Sequence, residues 1–200
     1  MSRTSNSLLS AVVLSVIASG ASAEIFAVET QSVFEALVGE FGGSVVAQSF
    51  GSYNGFYESG LVGGSGDAAW TASASGGLFA DAGIFSSNTP NVALTFSFSS
   101  ANVFAIGGNF FNTNFDFSTG PGLVKVTAGG VNFILSSSPS SFAGFVSTSG
   151  SISSISILPF GGAAVGTFAS TNSLSIGVVP APGAVALLGV AGLLVRRRRA

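Results

Sequence analysis

The chain has 200 residues with no cysteine and no histidine, and charged residues make up only 7% of it. The missing types exclude disulfides, Ser-His-Asp or Cys-His catalysis, and zinc held by His or Cys. Between Glu24 and Val178 the only base is Lys125, against all eight acidic residues, so this stretch has a net charge of −7 (1 − 8). One base cannot neutralise a phosphate backbone, so we expect no nucleic-acid partner.

The first 23 residues have the three parts of a secretory signal peptide. Arg3 supplies the positive start, residues 8–17 form a short apolar run, and Ala21 and Ala23 form the A-x-A cleavage site. A buried N-terminal helix is the alternative, but small residues directly after such a run favour the signal. Cleavage after Ala23 makes Glu24 the mature N-terminus, and the chain is predicted to be exported.

The body of the chain, residues 24–178, has about 155 residues, the size of one domain. Helical spacing occurs once, in residues 30–41, where one apolar stripe contains Val33, Phe34, Leu37, Val38 and Phe41. Thr30 or Ser32 is suited to cap the start of this helix, and Gly42 with Gly43 ends it. We therefore predict a short N-terminal helix.

After residue 43 the apolar pattern changes to a period of two, which is typical of strands. Residues 92–98 alternate cleanly, and Gly129-Gly130 is suited to a two-residue hairpin turn. Further short β-prone runs cover residues 123–127, 131–135, 142–146, 152–158 and 174–178. Many short strands separated by Gly- and Ser-rich turns predict an all-β fold, an antiparallel β-sandwich or jelly roll.

Tyr53, Tyr57 and Trp70 lie in a Gly- and Ser-rich part of the body. Rings of this kind stack on the apolar faces of sugars while their polar tips stay in water. Together, with Asp67 or Asp81 beside them, they are the contacts that a carbohydrate-binding module would use. Core packing is the alternative for each ring taken alone.

Glu58, Asp67 and Asp81 raise the question of glycoside hydrolysis, which uses a pair of carboxyl groups at a defined separation. Scattered acids on an exported domain are more often solvated surface residues. We therefore expect a protein that is not an enzyme and that needs no cofactor.

Asn112, Asn114 and Asp116 are spaced by two, with Asn109 nearby, and are expected on one face of a strand. Oxygen ligands so arranged would suit Ca²⁺. Only Asp116 is charged, so a polar strand face or a turn is the alternative.

The C-terminal tail contains a proline motif, an apolar run and a basic cluster: Val179, Pro180, Ala181 and Pro182, then residues 184–195, then Arg196, Arg197, Arg198 and Arg199. The apolar run predicts a C-terminal hydrophobic helix shorter than the roughly 20 residues that span a bilayer. Arginines after such a run act as a stop-transfer signal. The pattern indicates a weak membrane tether beside an accessible, extended peptide.

This order of elements resembles the PEP-CTERM sorting signal of bacterial exported proteins, a tail also labelled an ice-binding protein C-terminal domain. The family motif is usually Val-Pro-Glu-Pro, and Ala181 stands here in place of the Glu. The resemblance covers residues 179–200 and implies cleavage near the motif by an exosortase-type membrane enzyme, after transient anchoring in the inner membrane. It does not imply ice binding. An ordinary anchor that is never cut is the alternative.

The body is also loosely similar to the β-sandwich cargo domains that precede such tails, mostly in residues 104–117, and this likeness implies no activity. We therefore expect a signal peptide in residues 1–23, one β domain in 24–178 and a sorting tail in 179–200. The favoured function is that of a non-catalytic protein of the cell surface or extracellular matrix. A carbohydrate-binding module, with extracellular polysaccharide as partner, is the alternative.

Overall fold

The computed structural model describes residues 24–179. The elements are β1 (Ile25–Val28), α1 (Gln31–Glu40), β2 (Ser44–Ser49), β3 (Gly55–Tyr57), β4 (Leu61–Gly63), β5 (Trp70–Ser73), β6 (Leu78–Asp81), β7 (Ile84–Ser87), β8 (Leu94–Phe98), β9 (Val103–Thr113), β10 (Leu123–Ala128), β11 (Val131–Ser136), β12 (Phe142–Ser147), β13 (Ser154–Phe160) and β14 (Phe168–Val178). Two short 3₁₀ turns cover Gly66–Ala68 and Gly162–Ala164. The predicted signal peptide, Pro180 to Pro182, the C-terminal hydrophobic helix and the arginine cluster lie outside the described residues.

The strands form two antiparallel sheets, which confirms the predicted all-β, antiparallel class. The large sheet has the order β1-β12-β9-β14-β7-β6-β3, and β2 also pairs with β14. The small sheet has the order β11-β10-β13-β8-β5-β4. The sheets pack face to face, because one apolar cluster joins Phe85 and Phe110 of the large sheet to Phe96 and Val126 of the small one.

Aromatic rings fill one end of this core. The rings of Phe50 and Phe85 stack with centroids 5.1 Å apart, and Trp70 meets Phe96 edge to face at 5.4 Å. Such pairs stabilise a core beyond the area they bury. In a chain without disulfides, the apolar core and the strand ladders hold the two sheets together.

Helix α1 lies on the outer face of the large sheet, as the third layer of the fold. The Thr30 side chain accepts a hydrogen bond from the Val33 N–H (3.4 Å), which confirms Thr30 as the cap. Of the predicted stripe, Phe34 and Val38 are fully buried, whereas Val33 and Phe41 stay 45% and 42% exposed. Across residues 24–179, no helix has both the length and the apolar character needed to cross a membrane.

Strands β10, β11 and β12 lie close to their predicted positions, whereas β14 begins at Phe168, six residues before its predicted start at 174. Strand β9 was not among the predicted runs. The Gly129-Gly130 turn joins β10 to β11, and positive φ angles of 53° and 84° explain the two glycines. Strand β8 begins at Leu94 and β13 at Ser154, two residues later than predicted in both cases. The strands before residue 88 were not predicted, because most have only three or four residues between turns.

Candidate functional site: an aromatic cleft on the large sheet

Trp70 lies in the core, so the predicted glycan platform of Tyr53, Tyr57 and Trp70 does not form at the surface. Its side chain is 2% exposed, and Phe50 and Phe96 pack against its ring. Tyr53 is half-buried against the same indole, with centroids 6.0 Å apart. Core packing, the alternative for each ring, therefore describes Trp70, and the platform that included it is wrong. The physical reason is that β5 alternates, and Trp70 falls on its inward face.

Tyr57 takes part in a local turn. Its hydroxyl donates to the Asn54 carbonyl (3.2 Å), and the ring is half-buried against the inter-sheet core. With Trp70 buried, no described arrangement joins Tyr57 to the other two rings as a stacking surface.

The predicted calcium ligands do not share a strand face. Strand β9 ends at Thr113, so Asn112 is its last residue but one, and Asn114 and Asp116 lie in the turn that follows. Asn112 is fully buried and donates to the carbonyls of Pro121 and Leu123. The strand-face prediction is therefore wrong, and the alternative of a polar turn describes Asn114 and Asp116.

The three acids weighed for hydrolysis lie on separate elements. The Asp67 carboxylate accepts a hydrogen bond from the Ser100 hydroxyl (2.7 Å), and the bonds from Ser100 and Asn102 lower the pKa of Asp67. Asp81 ends β6 in the large sheet, and Glu58 is exposed after β3. Among residues 24–179, no group of three or more His, Cys, Asp or Glu side chains is placed to hold a metal ion.

A cavity of about 300 Å³ lies on the outer face of the large sheet, and we call it the aromatic cleft. Its lining combines phenylalanine rings with hydroxyl and amide side chains: Phe79, Ser86, Ser87, Asn88, Thr113, Asn114, Phe115, Phe117 and Phe168. A concave, mostly apolar site with a few polar groups is the usual form of a small-ligand pocket. The cleft is therefore the candidate functional site.

Four strands bring the floor of the cleft together. Phe79 on β6 lies opposite Ser86 on β7, and Ser86 lies opposite Ser170 on β14. On the other side of β14, Phe168 lies opposite Thr113 of β9. Because residues directly opposite in an antiparallel pair project on the same face, these side chains share one surface.

The β9–β10 loop forms the wall of the cleft, and its turn is held by its own side chains. The Asn114 amide donates to the Ser118 hydroxyl (2.9 Å), and the Asp116 carboxylate accepts from the Ser118 N–H (3.0 Å) and hydroxyl (2.6 Å). These bonds favour the ionised carboxylate and lower the pKa of Asp116.

Phe117 adopts a left-handed backbone conformation with φ of 62°, which is unfavourable for a residue with a bulky side chain. Its ring packs against Phe79 with centroids 5.5 Å apart. Backbone strain of this kind persists where the surroundings hold it, and it clusters at binding sites. The contact with Phe79 therefore holds this strained residue, and with it the loop, over the strand floor.

The polar side chains of the floor already have partners. Ser86 donates to the Phe79 carbonyl (3.3 Å), Ser87 donates to the Thr89 carbonyl (3.2 Å), and the Thr113 and Ser170 hydroxyls are 2.8 Å apart. The amides of Asn88 and Asn114 also donate within the protein, to the Gly76 carbonyl (3.2 Å) and the Ser118 hydroxyl (2.9 Å). The rest of the lining is aromatic, and Phe115 at the rim is 89% exposed. A ligand for this cleft needs an apolar face, since the floor has few free donors to offer.

Sequence reasoning singled out residues 104–117 and Asn114, but it missed the cleft. Phe79 and Phe168 come from distant segments, and only the strand order β6-β7-β14-β9 brings them together. An available signal was the pair Phe115 and Phe117, which flank Asp116 in a turn-prone stretch and have no strand partner to bury them.

Comparison with protein-family models, with curated proteins and with solved structures finds no match for this chain. The assignment of residues to roles therefore depends on the geometry described above.

Proposed function

We propose that the chain is a non-catalytic protein of the cell surface or extracellular matrix, exported through its N-terminal signal and processed near residues 179–182. The observation that carries the proposal is where the folded strands begin and end. Strand β1 begins at Ile25, two residues after Ala23, and β14 ends at Val178, next to the proline motif. Cuts at the two predicted sites would leave every described strand whole.

The end of β14 also limits where processing can occur. This strand lies in the middle of the large sheet, between β9 on one side and β2 and β7 on the other. The Val179 N–H donates to the Asn102 carbonyl (3.0 Å), so the fold holds the chain up to this residue. A cut before Val178 would remove part of a central strand, whereas a cut at Pro180 or later would not.

The side chains of the body support a non-catalytic role. Asp67 and Asp116 accept hydrogen bonds from neighbouring serines, which favour their ionised form over that of a general acid. The apolar floor of the aromatic cleft suits binding better than proton transfer. The partner implied by the tail is an exosortase-type enzyme, met during transient anchoring in the inner membrane.

Replacement of Arg196 to Arg199 by serine tests the sorting step in cells that produce the full chain. We expect the wild type at the cell surface or in the medium. The four-serine variant should instead remain in the periplasm or in other cell fractions, because the stop-transfer charge is lost. The matched control is Lys125→Ser, which removes a base from the folded body. Equal distribution of the wild type and the four-serine variant would contradict the sorting role.

A second function, carbohydrate binding, is favoured by the aromatic cleft. Phe115 is 89% exposed beside Phe79, Phe117 and Phe168, and aromatic faces of this kind stack on the apolar faces of sugar rings. This site replaces the predicted Tyr53, Tyr57 and Trp70 platform as the place where a polysaccharide would contact the protein.

Binding to the purified extracellular polysaccharide of the producing cells tests this second function. Phe115→Ala is expected to weaken binding at least about fivefold, because stacking of one ring contributes on the order of 1 kcal/mol. Val62→Ala, at a residue 72% exposed on β4, is the control and should bind as the wild type does. Equal binding by the wild type and Phe115→Ala would remove the cleft from this role.

A further inference from the structure

Strand β11 is an open edge of the small sheet. It pairs with β10 on one side, and no other strand within residues 24–179 pairs with it. Its six residues contain no charge and no proline, the usual devices that protect an edge. Ile134 on its outer face is 49% exposed, and the same face of the sheet contains Leu123 and Phe160, which lie opposite each other and are 39% exposed each.

The hairpin register shows which backbone groups of β11 are free. The flanking residues of a two-residue turn, Ala128 and Val131, form a hydrogen-bonded pair, and every second pair along the ladder repeats it. The Ser137 N–H continues this series by donating to the Gly122 carbonyl (3.1 Å). The odd-numbered residues of β11 therefore bond to β10, and the N–H and C=O groups of Asn132, Ile134 and Ser136 point away from the sheet.

The other open edges are shorter or lack an exposed apolar side chain. β3 and β4 have three residues each, and β1 has four, with Glu24 and Glu29 exposed at its two ends. β2 has six residues, but none of its side chains is a large, exposed apolar group. Among the described edges, length, lack of charge and an exposed apolar side chain occur together in β11.

A second copy of β11 fits this edge in a single register. Opposite residues of an antiparallel pair lie on the same face, so an arrangement with two-fold symmetry must be centred on one residue rather than between two. With Ile134 at the centre, Asn132 lies opposite the second copy's Ser136, and all the outward backbone groups of β11 meet. This register forms about six backbone hydrogen bonds, and centring on Phe133 forms about four.

The side chains on both faces of β11 also fit this register. The two Ile134 side chains become direct neighbours on the outer face and cover each other. Inside the sandwich, the half-buried Phe133 lies opposite the second copy's Leu135, which extends the apolar core across the contact. The Ser136 carbonyl already accepts from the Ser141 hydroxyl (2.7 Å), and its second lone pair remains for the partner strand.

Charge does not oppose the contact, although the body as a whole is negative. The nearest charged side chain on this face is Lys125, opposite Ile134 on β10, and its ammonium lies 5.8 Å from the centre of the Phe160 ring. In the symmetric pair, the two lysines are three strand spacings apart, about 14 Å, beyond the range of strong repulsion in physiological salt.

We propose that two copies of this chain associate through their β11 edges, antiparallel and centred on Ile134, so that the small sheets join into one continuous sheet. The contact is isologous and goes beyond the proposed export and processing, because it involves only the folded body. A protein of the extracellular matrix would gain a means of assembly from it.

Disulfide trapping tests the register directly, because the chain has no cysteine of its own. Ile134→Cys places two thiols opposite each other at about 5.5 Å between Cα atoms, within the range that a disulfide spans. Asn132→Cys is the matched control on the same strand face, since its thiols are about 14 Å apart in this register. Both variants are made in the full chain, and the protein recovered from the cells is analysed without reductant.

The expected result is that Ile134→Cys forms covalent dimers at least about tenfold faster than Asn132→Cys. Mixing Asn132→Cys with Ser136→Cys should restore trapping, as disulfides between the two different chains. Equal rates for Ile134→Cys and Asn132→Cys, or no covalent dimer from Ile134→Cys, would overturn the proposal.

Ile134→Lys provides a test that needs no cross-link. The side chain is half exposed on an edge strand, so the variant should fold, but its new charge lies opposite Lys125 of its own chain, and circular dichroism is used to check that it is folded. In the dimer the two new lysines lie directly opposite each other and should repel. Sedimentation should find dimers for the wild type and for Val62→Lys, a change at the opposite edge of the same sheet, and monomers for Ile134→Lys. A monomeric wild type, or equal dissociation by both lysine variants, would contradict pairing through β11.

Discussion

The outer face of the large sheet has two halves, and they differ in whether their aromatic residues are buried or exposed. Under α1 the rings are buried: Phe34 and Phe142 pack edge to face, with ring centroids 5.7 Å apart. At the other half, Phe79, Phe115 and Phe117 border an open cleft, and Phe115 is almost fully exposed. The irregular step in β14 between Thr171 and Ser173 lies between the halves.

The backbone beneath each half explains the difference. Under the helix, glycines allow close approach: a Cβ added at Gly144 would lie 2.6 Å from the Phe34 ring, and one at Gly177 would lie 2.9 Å from Val38. Under the cleft, hydroxyl side chains such as Thr113 and Ser170 occupy the equivalent face. The helix packs closely where the sheet has glycines. Where the sheet has hydroxyl side chains that already have hydrogen-bond partners, its face stays open and is bordered by the aromatic β9–β10 loop.

Truncation of one ring in each half should give the largest contrast. Phe34→Ala is expected to lower the free energy of unfolding by about 3–5 kcal/mol, because it leaves a cavity under the helix. Phe115→Ala removes a side chain that is 89% exposed and should change it by less than about 0.5 kcal/mol. Denaturant unfolding of both variants measures this. Similar losses would mean that the cleft ring is also structural.

A methyl group added beneath the helix should have the next largest effect. Gly177→Ala brings a Cβ within 2.7 Å of the Ala105 Cβ on β9 and 2.9 Å of Val38 in α1. Both neighbours must shift, at a cost of about 1–3 kcal/mol in the free energy of unfolding. Gly39→Ala, in α1 itself, meets nothing within 4 Å and should stabilise by up to about 1 kcal/mol. Thermal unfolding of the two variants distinguishes these signs. A tolerated Gly177→Ala would show that α1 does not pack closely on β14.

The smallest effect concerns the loop that walls the cleft. Hydrogen bonds from Ser118 lower the pKa of Asp116 below its ordinary value of 3.8, so their stabilisation is present above that pH and is lost as the pH falls through the lowered pKa. Ser118→Ala should therefore be slightly less stable than the wild type at pH 7. The difference should be smaller near pH 2, where the contribution of the carboxylate has fallen and the loss of the bond from Asn114 to Ser118 remains. Urea midpoints at both values measure it, with Ser73→Ala on β5 as the control. A difference of the same size at both pH values would exclude the carboxylate as its cause.

The parts of the fold that sequence reasoning predicted are those with a clear local pattern. Helix α1 has a capping Thr30 and an apolar stripe, and β8, β10 and β11 alternate over five or six residues. The short strands between Gly55 and Ser87 have three or four residues each, too few to show a period. For Trp70 the sequence left both core packing and exposure open, because an aromatic residue in a four-residue strand has no local sign of which face it occupies.

The candidate site was predicted only in fragments for a related reason. Asn114 and Asp116 were read as strand residues, but the chain turns after Thr113, where Ser118 binds back to both of them. The cleft needs Phe79 and Phe168 to meet this turn, and they come from strands far apart in the chain. Such a site depends on which distant strands pair with each other, and no pattern within a single segment of the sequence indicates these pairings.

The intact mass of the mature protein recovered from producing cells tests the central claim most directly. The account predicts a species that begins at Glu24 and ends near Pro180, with all the strands from β1 to β14 retained. A product that still contains residues 1–23 or Arg196 to Arg199 would contradict it and leave an unprocessed, anchored chain.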